Sequence, residues 1–117
     1  MPQSLSVSTN KSELRRYLRH GTLPQLAAFD EAMRQGSMTR AAELLHMAQP
    51  TMSGHLRKLS EALGVELFES QGRQRVPTAA ALALHEAAAG VFEALERVDQ
   101  ALRPMREPTR LAAADWR

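Results

Sequence analysis

No cysteine occurs in the 117 residues. That excludes disulfides, thiolate metal sites and cysteine nucleophiles, and it fits a cytoplasmic location. Aromatic residues make up only 4% of the chain, so a core must be built mainly from Leu, Ala, Met and Val. No apolar run approaches the roughly 20 residues needed to span a bilayer, and the N-terminus lacks the apolar stretch of a signal peptide, so no membrane association is expected. Catalytic signatures are absent as well. His20, His46, His55 and His85 show neither HExxH nor paired i,i+4 spacing. No Walker loop, dinucleotide fingerprint or Ser-His-Asp ordering is found. The expectation is therefore no enzyme, no metal and no cofactor.

Charge is nearly balanced, with 15 Lys and Arg against 13 Asp and Glu, but it is unevenly placed. The segment from Met1 to Leu63 is basic. The segment from Thr78 to Arg103 carries Glu86, Glu93, Glu96 and Asp99 against only Arg97 and Arg103. A basic front and an acidic rear suggest that a polyanion meets the front.

Residues 1–21 read as an N-terminal extension, a polar tail that is flexible or holds one short helix with Ser12 as its cap. Arg15, Arg16 and Arg19 fit a disordered basic tail better than an arm in a groove. A first helix is expected from Leu23 to Gln35, with Thr22 and Gln25 forming a capping box. Leu26, Phe29 and Met33 would face the core, and Gly36 would stop the helix. Ser37 caps a second helix from Met38 to His46, where a cationic His46 would suit the helix end. Its inner face is Ala41, Ala42 and Leu45, and adjacent alanines let a neighbouring helix come close. A short turn through Gln49 leads to Pro50 in the first turn of a third helix. This runs to Leu63 with Met52, Leu56, Leu59 and Leu63 as one apolar stripe.

Val65–Glu69 alternates like a strand, Ser70–Arg73 reads as a turn, and Gln74–Pro77 as a second strand, together a hairpin. Thr78 then caps a helix of about 38 Å that Pro104 ends. Ala81, Leu84, Ala88, Val91, Leu95, Val98 and Leu102 form an a/d seam with no partner expected inside a head this small. The resulting organisation is an extension (1–21), a winged helix-turn-helix (22–77), a dimerisation helix (78–103) and a tail (104–117). The fold class is mainly α.

The third helix is apolar on one side and bare on the other, where Gln49, Ser53 and Gly54 would let its backbone enter a major groove. Arg73 stands at the tip of the wing, long enough to reach a phosphate. At this point the sequence resembles the N-terminal domain of LysR-type transcriptional regulators. The resemblance covers Leu23 to Leu102 and rests on GSMTRAAELLHMAQPTMSGHLRKL (36–59) followed by LGVELFE (63–69). It implies a dimer that binds an interrupted palindrome in double-stranded DNA through paired linker helices, with a tetramer open to a full-length protein, near the nucleoid. The sequence departs from the family pattern at Ala48, Gly54, Ser60, Ser70 and Ala81. At Gly54 and Ser70 it lacks basic residues that are usual there. Thr109–Asp115 resembles the first strand of the family's effector domain.

The expected DNA-binding residues are Thr39, Arg40, Gln49, Pro50, Thr51, Ser53, Gly54, Arg57 and Arg73. Taken alone, Gln49, Pro50 and Ser53 only cap and solvate a helix; within the motif they read as DNA contacts. Thr39 and Arg40 hold phosphates or form a solvated turn, and Arg57 and Lys58 divide the same way. Gly54 weakens its helix, which either a close backbone approach or drift explains. Arg75 ranks below Arg73. The expected dimer interface is Leu84, Ala88, Val91, Leu95, Val98 and Leu102. Two other functions fit the same elements: a helical dimerisation module that never reads DNA, and a molybdate-responsive winged-helix regulator. No small-molecule ligand is expected in this chain, because its apolar residues are already committed and a pocket needs about 300–1,000 Å³.

Overall fold

The computed structural model describes residues 14–106; Ser12 and the strand expected at Thr109–Asp115 lie outside them. The chain divides into two compact units, Met1–His85 and Glu86–Arg117. The elements run α1 (Thr22–Gln35), α2 (Met38–Leu44), α3 (Gln49–Leu63), β1 (Phe68–Gln71), β2 (Gln74–Pro77) and α4 (Ala79–Leu102). A 3-10 turn at Arg15–Tyr17 precedes them and another at Arg103–Arg106 follows. Among the described residues, no helix is long and apolar enough to cross a membrane.

The helix ends show how far residue type determines geometry. Ser37 Oγ accepts the Arg40 N–H at 3.1 Å, capping α2 as expected. Thr78 caps α4 in the same way, accepting the Ala81 N–H at 3.1 Å, and its hydroxyl donates to the Glu66 carbonyl at 2.7 Å. The expected capping box at Thr22 is not formed. Gly21 is the cap residue, with φ 91°, and Thr22 lies inside α1 and is buried. At the other end of α2 the helix stops at Leu44, short of His46. His46 takes a left-handed φ of 55°, and beyond it the Met47 N–H reaches back to the Ala42 carbonyl at 2.9 Å. His46 therefore occupies the left-handed position that glycine usually fills after a helix. Gln49 belongs to α3 and not to the preceding turn.

Gly64, with φ 74°, ends α3, and the Val65 N–H bonds to the Ser60 carbonyl at 3.3 Å. That closure keeps Val65 out of the sheet. β1 accordingly begins at Phe68, three residues later than the alternation suggested. The hairpin turns on Gly72 and Arg73, with Gln71 opposite Gln74 and Phe68 opposite Pro77. A two-residue turn with positive φ at its first position matches the twist of the strands, and Gly72 supplies it at φ 65°.

The core of the first unit gathers Phe29, Met52, Leu59 and Leu67, all essentially inaccessible. Phe29 meets Phe68 at 6.1 Å and His85 edge-on at 6.5 Å between ring centroids. Where the helices pack, the side chains are small: Ala28, Ala32, Ala41 and Ala42 are buried. Ala81 is fully buried too, so the proximal seam has partners within the chain after all. The 3-10 turn also differs from a disordered tail, because it lies against α3 and Arg16 donates to the Leu63 carbonyl at 3.4 Å. A guanidinium at that end suits the negative pole of the helix.

In the second unit, Ala88 is buried within the single chain, whereas Val91, Leu95, Val98 and Leu102 are exposed at helical spacing. Asp99 accepts from Arg103 at 2.8 Å and from Arg106 at 2.7 Å. Those bonds, and the nearby Arg106 charge, hold its carboxyl below the usual aspartate range.

Candidate nucleic-acid interface

An α-helix turns about 100° per residue, and this sets the two faces of α3. Met52, Leu56 and Leu59 are buried on one side. Pro50, Thr51, Ser53, Arg57 and Lys58 are exposed away from them, with Gly54 half-exposed among them, whereas Gln49 is exposed as the first residue of the helix, about 50° from the centre of the buried stripe. Ala48 provides no side-chain cap, and Pro50 in the first turn has no N–H to satisfy. The N-terminal half of this face therefore carries only short or neutral groups. Cationic groups follow one turn later. Arg57 Nε stands 4.0 Å from Glu61 Oε2, and both side chains are more than 60% exposed. Such a pair is worth little and leaves the guanidinium available.

Two flanking structures extend this face. Thr39 and Arg40 are exposed in the first turn of α2; the Ser37 cap engages the Arg40 backbone N–H and not its side chain. Arg73 is exposed at the tip of the wing, and Arg75 is exposed on β2 opposite Ser70. Two open grooves run beside the wing. One, of about 510 Å³, brings Ser53 and Arg57 together with Arg75. The other, of about 850 Å³, collects Thr39, Gln49, Arg73 and Arg75. Arg40, Pro50, Thr51 and Gly54 lie outside both grooves. Space of ligand size is thus present, contrary to the volume argument from sequence, but it is open and walled by the candidate contact residues.

Arg75, ranked below Arg73 from the sequence, borders both grooves. Its placement depends on the strand register, which becomes visible only once Gln71 is paired with Gln74. His85 was given no role from the sequence. It borders the larger groove, with Nδ1 at 3.1 Å from Asp30 Oδ1, while Arg34 Nε is 3.1 Å from Asp30 Oδ2. Despite that distance, His85 Nδ1 makes no aligned hydrogen bond among the described residues.

The arrangement, an outward helix face flanked by a helix turn and an arginine-tipped hairpin, defines a winged helix-turn-helix. Residues 23–82 match the family described as "Bacterial regulatory helix-turn-helix protein, lysR family", and the chain belongs to that family. It is 41% identical over 88 residues to the RuBisCO operon transcriptional regulator of Allochromatium vinosum, covering 75% of this chain and 27% of that protein. To the transcriptional activator protein LysR of Escherichia coli (strain K12) it is 35% identical over 85 residues, 73% of this chain and 27% of that protein. The chain thus spans about a quarter of the length of these curated relatives. Among solved structures it is similar to the DNA-binding domain of CbnR in complex with DNA, with a TM-score of 0.64 and 32% identity, covering 72% of this chain and 97% of that one. The BenM DNA-binding domain on its catB site 1 DNA gives a TM-score of 0.65 at 27% identity, covering 73% and 97%.

Proposed function

We propose that this chain is the DNA-binding and dimerising part of a LysR-type transcriptional regulator, working on the bacterial nucleoid. The carrying observation is the outward face of α3, short-chained at its N-terminal half and basic in the next turn, with Arg73 and Arg75 beside it. In this reading Gln49, Pro50, Thr51, Ser53 and Gly54 meet base edges. Thr39, Arg40, Arg57, Arg73 and Arg75 meet phosphates. The exposed stripe Val91, Leu95, Val98 and Leu102 takes the same stripe of a second copy. Two heads fixed in this way read an interrupted palindrome.

Selection from random duplex DNA at a stated salt concentration tests this. An interrupted palindrome should be enriched, and log K should fall linearly with log salt. Arg73→Ala should reduce that slope by about 0.9 with base preference kept. Gln49→Ala should alter base preference more than slope. Both variants behaving like the parent on every sequence would remove this face from the interface.

A further inference from the structure

Gly54 lies in the interior of a 15-residue helix, where glycine is destabilising relative to alanine. Nothing among the described residues requires it. Its φ is not left-handed. Apart from its chain neighbours and its own helix backbone, a Cβ built there would meet no atom of the described residues within 4 Å. Tight packing and special backbone geometry, the two usual structural reasons for a glycine, are both missing.

Its angular position supplies another reason. Counting about 100° per residue, the buried stripe Met52, Leu56 and Leu59 is centred opposite a line that passes within about 10–20° of Gly54. The residue thus occupies the outermost ridge of α3. Pro50 lies on nearly the same ridge one turn earlier, and Arg57 and Lys58 flank it one turn later. The first part of the ridge thus carries only a proline ring and a glycine, with long cationic side chains beside it one turn on and Glu61 on the ridge beyond them.

We infer that Gly54 is a specificity-determining position, where the bare ridge of α3 comes close enough to the major groove to seat the C5-methyl of one thymine in each half-site. This rests on the DNA-binding role proposed above. The choice of thymine follows from what the ridge can offer. In a helix interior the N–H and C=O of residue 54 are taken by the helix ladder, and glycine has no side-chain donor or acceptor. A base presenting a polar group there would lose its hydration without replacement. Thymine is the one base whose major-groove edge carries an apolar projection, and the missing Cβ leaves room for it.

The test uses the selected operator and three chemical changes. Replacing each thymine in turn by uracil removes only the methyl. One position per half-site should weaken binding of the parent by about fourfold, the worth of one buried methyl-sized group. At that position cytosine should bind worse still, and 5-methylcytosine better than cytosine. Gly54→Ala should melt at the same or a higher temperature. It should weaken binding to the thymine operator at least about fivefold through overpacking, and part of that loss should be recovered on the uracil operator. The inference is overturned if no thymine is sensitive, if Gly54→Ala binds the thymine operator as tightly as the parent, or if the sensitive thymine responds identically in both proteins. If the parent enriches no sequence at all, it is the DNA-binding reading that fails, and the two failures are distinct.

Discussion

Thr78 joins two elements through one hydroxyl, so its removal should be felt beyond the surface it occupies. Its Oγ1 accepts the Ala81 N–H at the start of α4 and donates to the Glu66 carbonyl ahead of β1. Replacing a threonine cap by alanine costs about 1 kcal/mol. The bond to Glu66 is exposed, which puts its net contribution near the low end of the usual range, about 0.5 kcal/mol. Thr78→Ala should thus destabilise by about 1.5 kcal/mol. For a domain of this size each kcal/mol lowers the melting temperature by about 4–8 °C, so the expected drop is roughly 6–12 °C. Thermal unfolding followed by circular dichroism measures it, and the Ala81 amide should exchange faster with solvent in the variant. Thr78→Ser keeps the hydroxyl and should stay within about 0.5 kcal/mol of the parent. A serine variant as unstable as the alanine variant would locate the effect in the lost methyl and refute the capping argument.

Leu95→Glu should turn a dimeric parent into monomers by placing a charge in the exposed stripe of α4; sedimentation showing a monomeric parent at high micromolar concentration would refute that interface. Asp99 should titrate below the ordinary aspartate range in the folded chain, since Arg103 and Arg106 bond its charged form. Its contribution is then present above the unfolded pKa and is lost as pH falls through the lower folded value. Carboxyl-carbon NMR should show that low value rising in Arg103→Ala and in Arg106→Ala. His46→Val should destabilise by about 1–2 kcal/mol, because a β-branched residue is poorly tolerated at positive φ, whereas His46→Gly should match or exceed the parent in chemical denaturation.

Much of this was readable from residue types acting locally. Ser37 and Thr78 cap because a short hydroxyl side chain reaches the third amide of its helix. Met52, Leu56 and Leu59 fall on one side because the period is 3.6. The outward face of α3 and the arginine at the wing tip followed from the same rules and a specific motif. The errors arose where two local solutions competed or where a distant partner decided. Thr22 has the chemistry of a cap, but Gly21 turns left-handed just before it, which carries Thr22 into the helix and buries it. Val65–Glu69 alternates, yet the closing bond from Val65 to Ser60 takes the first residues of that run away from the sheet. The seam on α4 has a single period along its length. Periodicity does not distinguish Ala81, packed inside its own chain, from Leu95, left exposed. Arg16 finds the Leu63 carbonyl 47 residues away, a contact no window of sequence contains.

The alanines between the helices have an evolutionary consequence. Ala28 and Ala41 are wholly enclosed, and Ala32 and Ala42 nearly so. A single-nucleotide change in an alanine codon yields Ser, Thr, Pro, Val, Gly, Asp or Glu. Valine and threonine add bulk to a filled space, at about 1–3 kcal/mol. Serine and the acids bring a polar group that needs a partner. Glycine loosens the helix by about 1 kcal/mol, and proline breaks it. No neighbouring codon offers a neutral exit, whereas a buried leucine can drift to methionine at little loss. Across natural variants of this chain, the smallest core residues should therefore change least, and the larger ones around Leu56 and Leu59 should vary among apolar types.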